Sequence, residues 1–184
     1  MGIYPWIWRT IMNTSAKKIE TPQEHSKLIK NIAESILNTA IDKVFFKISP
    51  VKNSQELKMI FQNPDFMSRF KYALAESIGC VLGDFDSNVK EVFIFEPCKT
   101  EKIDTMVNIL LIIESKTAGM EAFIASLNRA LTELILQLPL PTSSYYHSIL
   151  DIIFITQKEI DTRTGYAAIV SSIYAPVLKV WQRS

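Results

Sequence analysis

The sequence predicts an α+β fold, a small mixed sheet of three or four strands packed by helices, with a helical N-terminal part. The first observation is a period: up to about residue 86 the apolar residues recur at three- and four-residue spacing, as on one face of a helix. The second is a change of that period. From Val92 onward short continuous apolar runs alternate with helical stretches, and such runs suit strands covered on both faces. A hydrophobic content of 48% in 184 residues is enough to fill the core this fold needs. One domain over 1–184 is therefore expected, with an N-terminal extension over 1–20, a helical part over 21–63 and the core over 64–184.

Each element has its own signal. Thr21-Pro22-Gln23-Glu24 reads as an N-cap, a proline at the first helical position and a capping-box glutamate. The helix it opens carries Ile29, Ile32, Ile36, Ala40 and Val44 on one face and ends by Ser49-Pro50, with residues 45–48 (FFKI) able to leave as a short strand. Residues 54–61 form a short helix. Asn63-Pro64-Asp65 starts the next one, which runs through Phe66, Phe70, Ala73, Leu74, Ile78 and Val81 to Gly83 at the C-terminal cap position. Asp84 to Asn88 is turn chemistry. Val92-Phe93-Ile94-Phe95 and Val107 to Ile113 are the first two strands. Thr117 to Leu138 is the clearest helix, with Met120, Phe123, Ile124, Leu127, Leu131, Leu134 and Leu138 inward and Glu121, Asn128, Arg129, Glu133 and Gln137 off that face. Pro139 and Pro141 stop it, Ile149 to Ile155 is the third strand, and Thr156-Gln157-Lys158-Glu159 repeats the capping-box pattern before a last helical region that breaks by Pro176.

Charge and composition narrow the functions. With 20 basic and 19 acidic residues the net charge is +1, so no overall field draws the chain to nucleic acid, to an anionic membrane or to acidic substrates. Nucleic acid is not expected as a partner. Cys80 and Cys98 lack metal-ligand spacing and read as reduced, mostly buried thiols, which points to the cytoplasm. No apolar run reaches the roughly 18 to 20 residues that span a bilayer. The N-terminal stretch has Trp6 and Trp8 but is interrupted by Pro5 and Arg9, so it reads not as a signal peptide but as an extension that either packs its tryptophans on the domain or a partner, or is frayed.

Several candidate constellations have plain readings. Asp84-x-Asp86 lies in a turn and reads as solvated loop. His25 and His147 have no ligand at helical spacing, so a zinc site is not expected. Ser143 to His147 places hydroxyls beside an imidazole, but adjacent positions do not face one another as nucleophile and base must. Five glycines, none in a G-x-G-x-x-G pattern, offer no phosphate loop. Lys17, Lys18, Lys27 and Lys30 form a basic stripe that reads as a solvated helix face.

The order helix, strand, strand, helix, strand, helix over 64–181 resembles the nucleotidyltransferase-like fold, the superfamily of DNA polymerase beta and the small bacterial nucleotidyltransferases. "IYAPVLKVW", residues 173–181, also looks like the ends of some of its small members. In that superfamily the first strand ends in Gly-Ser, which holds the triphosphate. The second opens with Asp-x-Asp, and a later strand adds a third carboxylate. Two carboxylates two residues apart point to one side of a strand, where they can share the divalent ions that neutralise phosphate and activate a hydroxyl. Laid on this chain, the Gly-Ser positions fall on Glu96 and Pro97, the Asp-x-Asp positions on Met106 and Asn108, and the third on Asp151. Glutamate and proline remove the phosphate loop, and methionine and a neutral amide remove two ligands.

The resemblance therefore implies a degenerate member that keeps only Asp151 of the three carboxylate positions, with no catalytic, nucleotide-binding or metal site assigned and no cofactor. A binding or scaffold role is expected, with a homodimer or a second protein as partner. The alternative is an active nucleotidyltransferase that uses Mg on a non-standard set drawn from Asp104, Glu114 and Asp151. Nucleotide binding is left open between the two.

Overall fold

The computed structural model describes residues 22–45, 54–95, 105–139, 148–170 and 177–183. Several expectations fall outside these: the 1–20 segment with Trp6 and Trp8, the Thr21 cap, a strand over residues 46–48, Cys98, and the run from Ser143 to His147. The described elements are helices α1 (Pro22–Phe45), α2 (Ser54–Gln62) and α3 (Pro64–Phe85), strands β1 (Val89–Ile94) and β2 (Thr105–Ile113), helix α4 (Ala118–Ile135), strand β3 (Ser148–Thr156), helices α5 (Gln157–Thr162) and α6 (Ala167–Val170), and strand β4 (Leu178–Gln182).

The strands form one mixed sheet in the order β3-β2-β1-β4. β1 is antiparallel to both β2 and β4, while β2 and β3 are parallel. Parallel neighbours need a crossover connection, which α4 supplies. α3 covers β1 and β4, α4 covers β3, and α1 packs on both helices. The main core lies on this side, where Val107, Ile109, Leu111 and Ile113 of β2 meet Ile36, Phe70, Leu74, Ile78, Leu127 and Leu131. Phe93, Leu110, Ile112 and Ile155 point the other way, against Ala167 of α6, with Ile160 of α5 at their margin. The strands are thus apolar without alternation because helices lie on both faces.

Most helix signals act as expected. Asn63 Oδ1 accepts from the amides of Asp65 (2.9 Å) and Phe66 (3.3 Å), satisfying the donors that a helix start leaves open. Phe61 and Phe66 meet edge to face at 5.1 Å, as do Phe45 and Phe66, and this binds α1 and α2 to α3. Thr117 caps α4 and itself donates to Asp86 Oδ2 (3.3 Å), while Asp86 Oδ1 accepts from the Asn88 amide (2.9 Å). The turn from Asp86 to Asn88 is therefore structural, and Asp84 belongs to the last turn of α3 rather than to a loop.

Two elements differ from expectation. α3 does not end at Gly83 but continues to Phe85 with Asp86 as its cap. Gly83 has no left-handed backbone; its role is room. A Cβ there would run into the Trp181 indole, and one at Gly79 would lie 3.3 Å from Val180 and Val92, so the glycines let β4 sit close to the helix. The last helical region also fails to persist. Arg163 enters the left-handed region (φ 53°) after α5, α6 is a single turn, and the chain after Pro176 is strand β4. The exposed edge of β1 gives Val180 and Trp181 a ladder and a helix to pack on, which outweighs any local helical tendency.

The capping box of α5 is complete. The Glu159 carboxylate accepts from the amide and the hydroxyl of Thr156, both at 2.7 Å, and Thr156 Oγ accepts from the Glu159 amide at 3.3 Å. The Thr156 amide and then its hydroxyl hold the Glu159 carboxyl below the usual carboxylate range.

Two outcomes follow from this packing. Gly83→Ala should lower stability by about 1–3 kcal/mol, the usual cost of overpacking. Gly119→Ala, which has no neighbour within 4 Å, should raise it by about 0.5–1 kcal/mol. Urea unfolding that moved both variants the same way would contradict this account. For Glu159 the folded value is depressed, so its stabilisation is present above the ordinary carboxyl range and is lost as pH falls through the lower folded value. The difference in Tm between wild type and Glu159→Ala should be largest near neutrality and vanish in acid; a difference constant down to pH of about 2, well below an ordinary Glu, would contradict the capping box.

Candidate functional site

The strand ends bring the positions of interest to one corner of the sheet. Alternation along β2 places Asn108 on the same face as Leu110 and Ile112, opposite the main core. Asn108 pairs directly with Asp151 of β3, so the two stand about 4.8 Å apart across neighbouring strands and on the same face. The Phe95 amide donates to the Asn108 carbonyl at 3.2 Å, which brings the end of β1 to the same corner. Asn108 is buried, at 8% exposure, whereas Asp151 is exposed. The corner therefore has a carboxylate in solvent beside an amide in the protein, with the half-buried Phe95 next to them.

Asn128 of α4 holds this corner in register. Its Nδ2 donates to Ser148 Oγ (2.7 Å), and its Oδ1 accepts from the amides of Ile149 (3.2 Å) and Leu150 (3.1 Å). These are the residues that lead into Asp151, so a helix side chain sets where β3 begins. The sequence reading placed Asn128 off the inward face, and its position there gave no sign of three bonds to a strand about 20 residues later. A polar residue on the flank of an otherwise apolar helix was the only available signal.

The other candidates lie elsewhere. Glu114 follows the far end of β2, about 20 Å from Asn108 at the rise of a strand, where its amide donates to Asn88 O (2.9 Å) and its carboxylate pairs with Lys90 (2.6 Å). It does not join Asp151 at one metal. Glu96, Pro97 and Asp104 lie outside the described residues, as does the side chain of Met106. His25 is exposed on α1, and Lys27 and Lys30 are solvated as expected. Burial pushes the Cys80 thiol up, against the pull of Lys43, which makes it a poor nucleophile at neutral pH. Burial likewise raises the Asp84 carboxyl, with Arg183 opposing.

Chemically, an ionised Asp151 only accepts hydrogen bonds, while an amide at 108 offers both donor and acceptor atoms without charge. Divalent magnesium is held by several oxygen ligands, commonly including carboxylates, and a pair of such ions needs them shared. The described residues of this corner supply one carboxylate, and among the described residues no three of His, Cys, Asp and Glu are grouped to hold a metal ion. Among the described residues, no helix is long and apolar enough to cross a membrane. No protein family, curated protein or solved structure matches the chain.

Asn128→Ala should cost about 1.5–3 kcal/mol, because it removes three bonds and leaves strand amides without their acceptor. Hydrogen exchange should quicken at Ile149 and Leu150 before it does in the middle of β2. Unchanged protection at those two amides would show that β3 keeps its register without Asn128.

Proposed function

We propose that this chain is a binding or scaffold protein built on a nucleotidyltransferase-like domain that has given up nucleotide transfer. The observation that carries this reading is the direct pairing of Asn108 with Asp151 across parallel strands. In the superfamily that the sequence resembles, metal-binding carboxylates come from these two strands. Here the adjacency exists, but position 108 holds an amide of nearly the same shape as aspartate and no charge. The antiparallel β1–β2 pair followed by the β2-α4-β3 crossover supports the same domain type. Its role is then to hold a partner, either a second copy or another protein, rather than to turn over a nucleotide.

Thermal unfolding with ATP or GTP and Mg²⁺ tests this. A ligand present at 100 times its Kd would add about 2.7 kcal/mol, which for a chain of this size is about 5–10 °C in Tm. No nucleotide should produce such a shift. A clear Mg²⁺-dependent rise that disappears in Asp151→Ala would overturn the non-catalytic reading. The double variant Met106→Asp with Asn108→Asp should acquire stabilisation by Mg²⁺ alone; its failure to do so, while folded, would count against the nucleotidyltransferase-like domain itself.

A further inference from the structure

The β1 edge and helix α3 form an acceptor groove for an extended strand, and the chain fills it with its own β4. β4 is antiparallel to β1, with Trp181 opposite Val92, Lys179 opposite Phe93 and Leu178 opposite Ile94. Two anchors hold it. The Trp181 ring lies in the space left by Gly83, with Val180 beside Gly79. Arg183 then closes the end of the groove: its Nε donates to Val89 O (3.0 Å), its Nη2 to Asp86 O (3.0 Å) and to Gly83 O, and its amide to Lys90 O (2.9 Å). The carbonyls of a helix end and the following turn, which need partners, are thereby satisfied by a side chain about 100 residues away. Lys179 adds a bond to Glu91 (2.8 Å) and lies over the Phe93 ring at 5.3 Å.

The occupant is held differently from the groove. With β4 in place, Val92 of β1 and Gly79 and Gly83 of α3 are buried, but no residue of β4 is; Val180 and Trp181 are half-buried and the rest exposed. Among the described residues the strand is paired on one side only, and it contributes no side chain to the fully enclosed core. An edge with a place for a tryptophan and a fork of carbonyls for an arginine has the chemistry of strand-addition recognition: main-chain bonds give affinity and alternate side-chain pockets give specificity. Trp and Arg are also the residue types that dominate binding energy at interfaces.

We infer that this groove is an interaction site for the segment Leu178 to Arg183 in trans, and that its partner is a second copy of this chain exchanging the same strand. The contacts that fit in cis fit equally in trans, and reciprocal exchange gives a closed two-fold dimer without any new surface. This inference does not depend on the nucleotidyltransferase-like reading.

The test uses the full chain and a fluorescein-labelled peptide of residues 177–183, followed by anisotropy. In the wild type the chain's own strand competes, so the apparent affinity is reduced by the fraction of grooves that are closed. Trp181→Ala in the protein weakens that competitor, and the peptide should then bind at least about tenfold more tightly. Adding Gly83→Leu to that variant should abolish the gain, because the ring's place is filled, and a peptide with its own Trp replaced by Ala should bind neither. If Trp181→Ala does not fold by circular dichroism, Arg183→Ala is read in the same way. For the second copy, light scattering of concentrated wild type should show a dimer that is lost in Trp181→Ala. Equal peptide binding by the folded variant and wild type overturns the acceptor groove, and a wild type that stays monomeric at high concentration overturns the exchange.

Discussion

The rest of the structure depends on the burial of β2. Every residue from Val107 to Ile113 is buried, and the strand is apolar on both of its faces. Such a segment is stable only where its backbone is paired along both edges and its side chains are covered above and below. Pairing brings β1 to one edge and β3 to the other. Covering requires α3 and α4 on one face and the α5–α6 segment on the other. Each fully buried Leu or Ile contributes about 1.5–3 kcal/mol, so a run of them outweighs the weak propensities of the short pieces around it. The single-turn α6 and the six-residue α5 would not persist alone in water.

The same constraint explains the place of Asn108. It is the one polar residue within the buried part of β2, at the strand's start, where the sheet gives way to the corner formed with Phe95 and Asp151. Further along, at Leu110 or Ile112, an amide would stand among apolar side chains on the closed face, at a cost of a few kcal/mol. At 108 it adjoins an exposed carboxylate and so lies at the boundary between core and solvent. A polar position of this kind is where a site can be built without weakening the sheet, whether or not it is used for chemistry.

β4 shows a second kind of dependence. The apolar strands are held by their own burial, whereas β4 is held by features of other segments: two glycines on α3, three carbonyls around the α3–β1 turn, and a glutamate on β1. The surface ion pair of Lys179 with Glu91 adds little by itself. Shape supplies most of the anchoring, because the Trp181 ring can approach the helix only where no Cβ intervenes.

The sequence by itself determined the elements whose apolar period is long and whose caps are local. Ile29 to Ala40, Phe66 to Val81 and Met120 to Leu131 could be assigned to inward faces because a helix face is written in neighbouring residues, and Asn63 and Thr156 could be read as starts because a cap acts within three residues. The buried strands were legible for the same reason, and so was the absence of charge at 108. What only the tertiary structure decided were matters between distant segments. The pairing of Asn108 with Asp151 rests on strand register, the role of Asn128 on how α4 lies over β3, and Gly83 reads locally as a cap until Trp181 is brought against it. Residues 178–182 become a strand because β1 presents an unpaired edge, a condition that no window of the sequence contains. Hydrogen bonding along the backbone is local in a helix and non-local in a sheet, and that difference separates what could be read from what had to be seen.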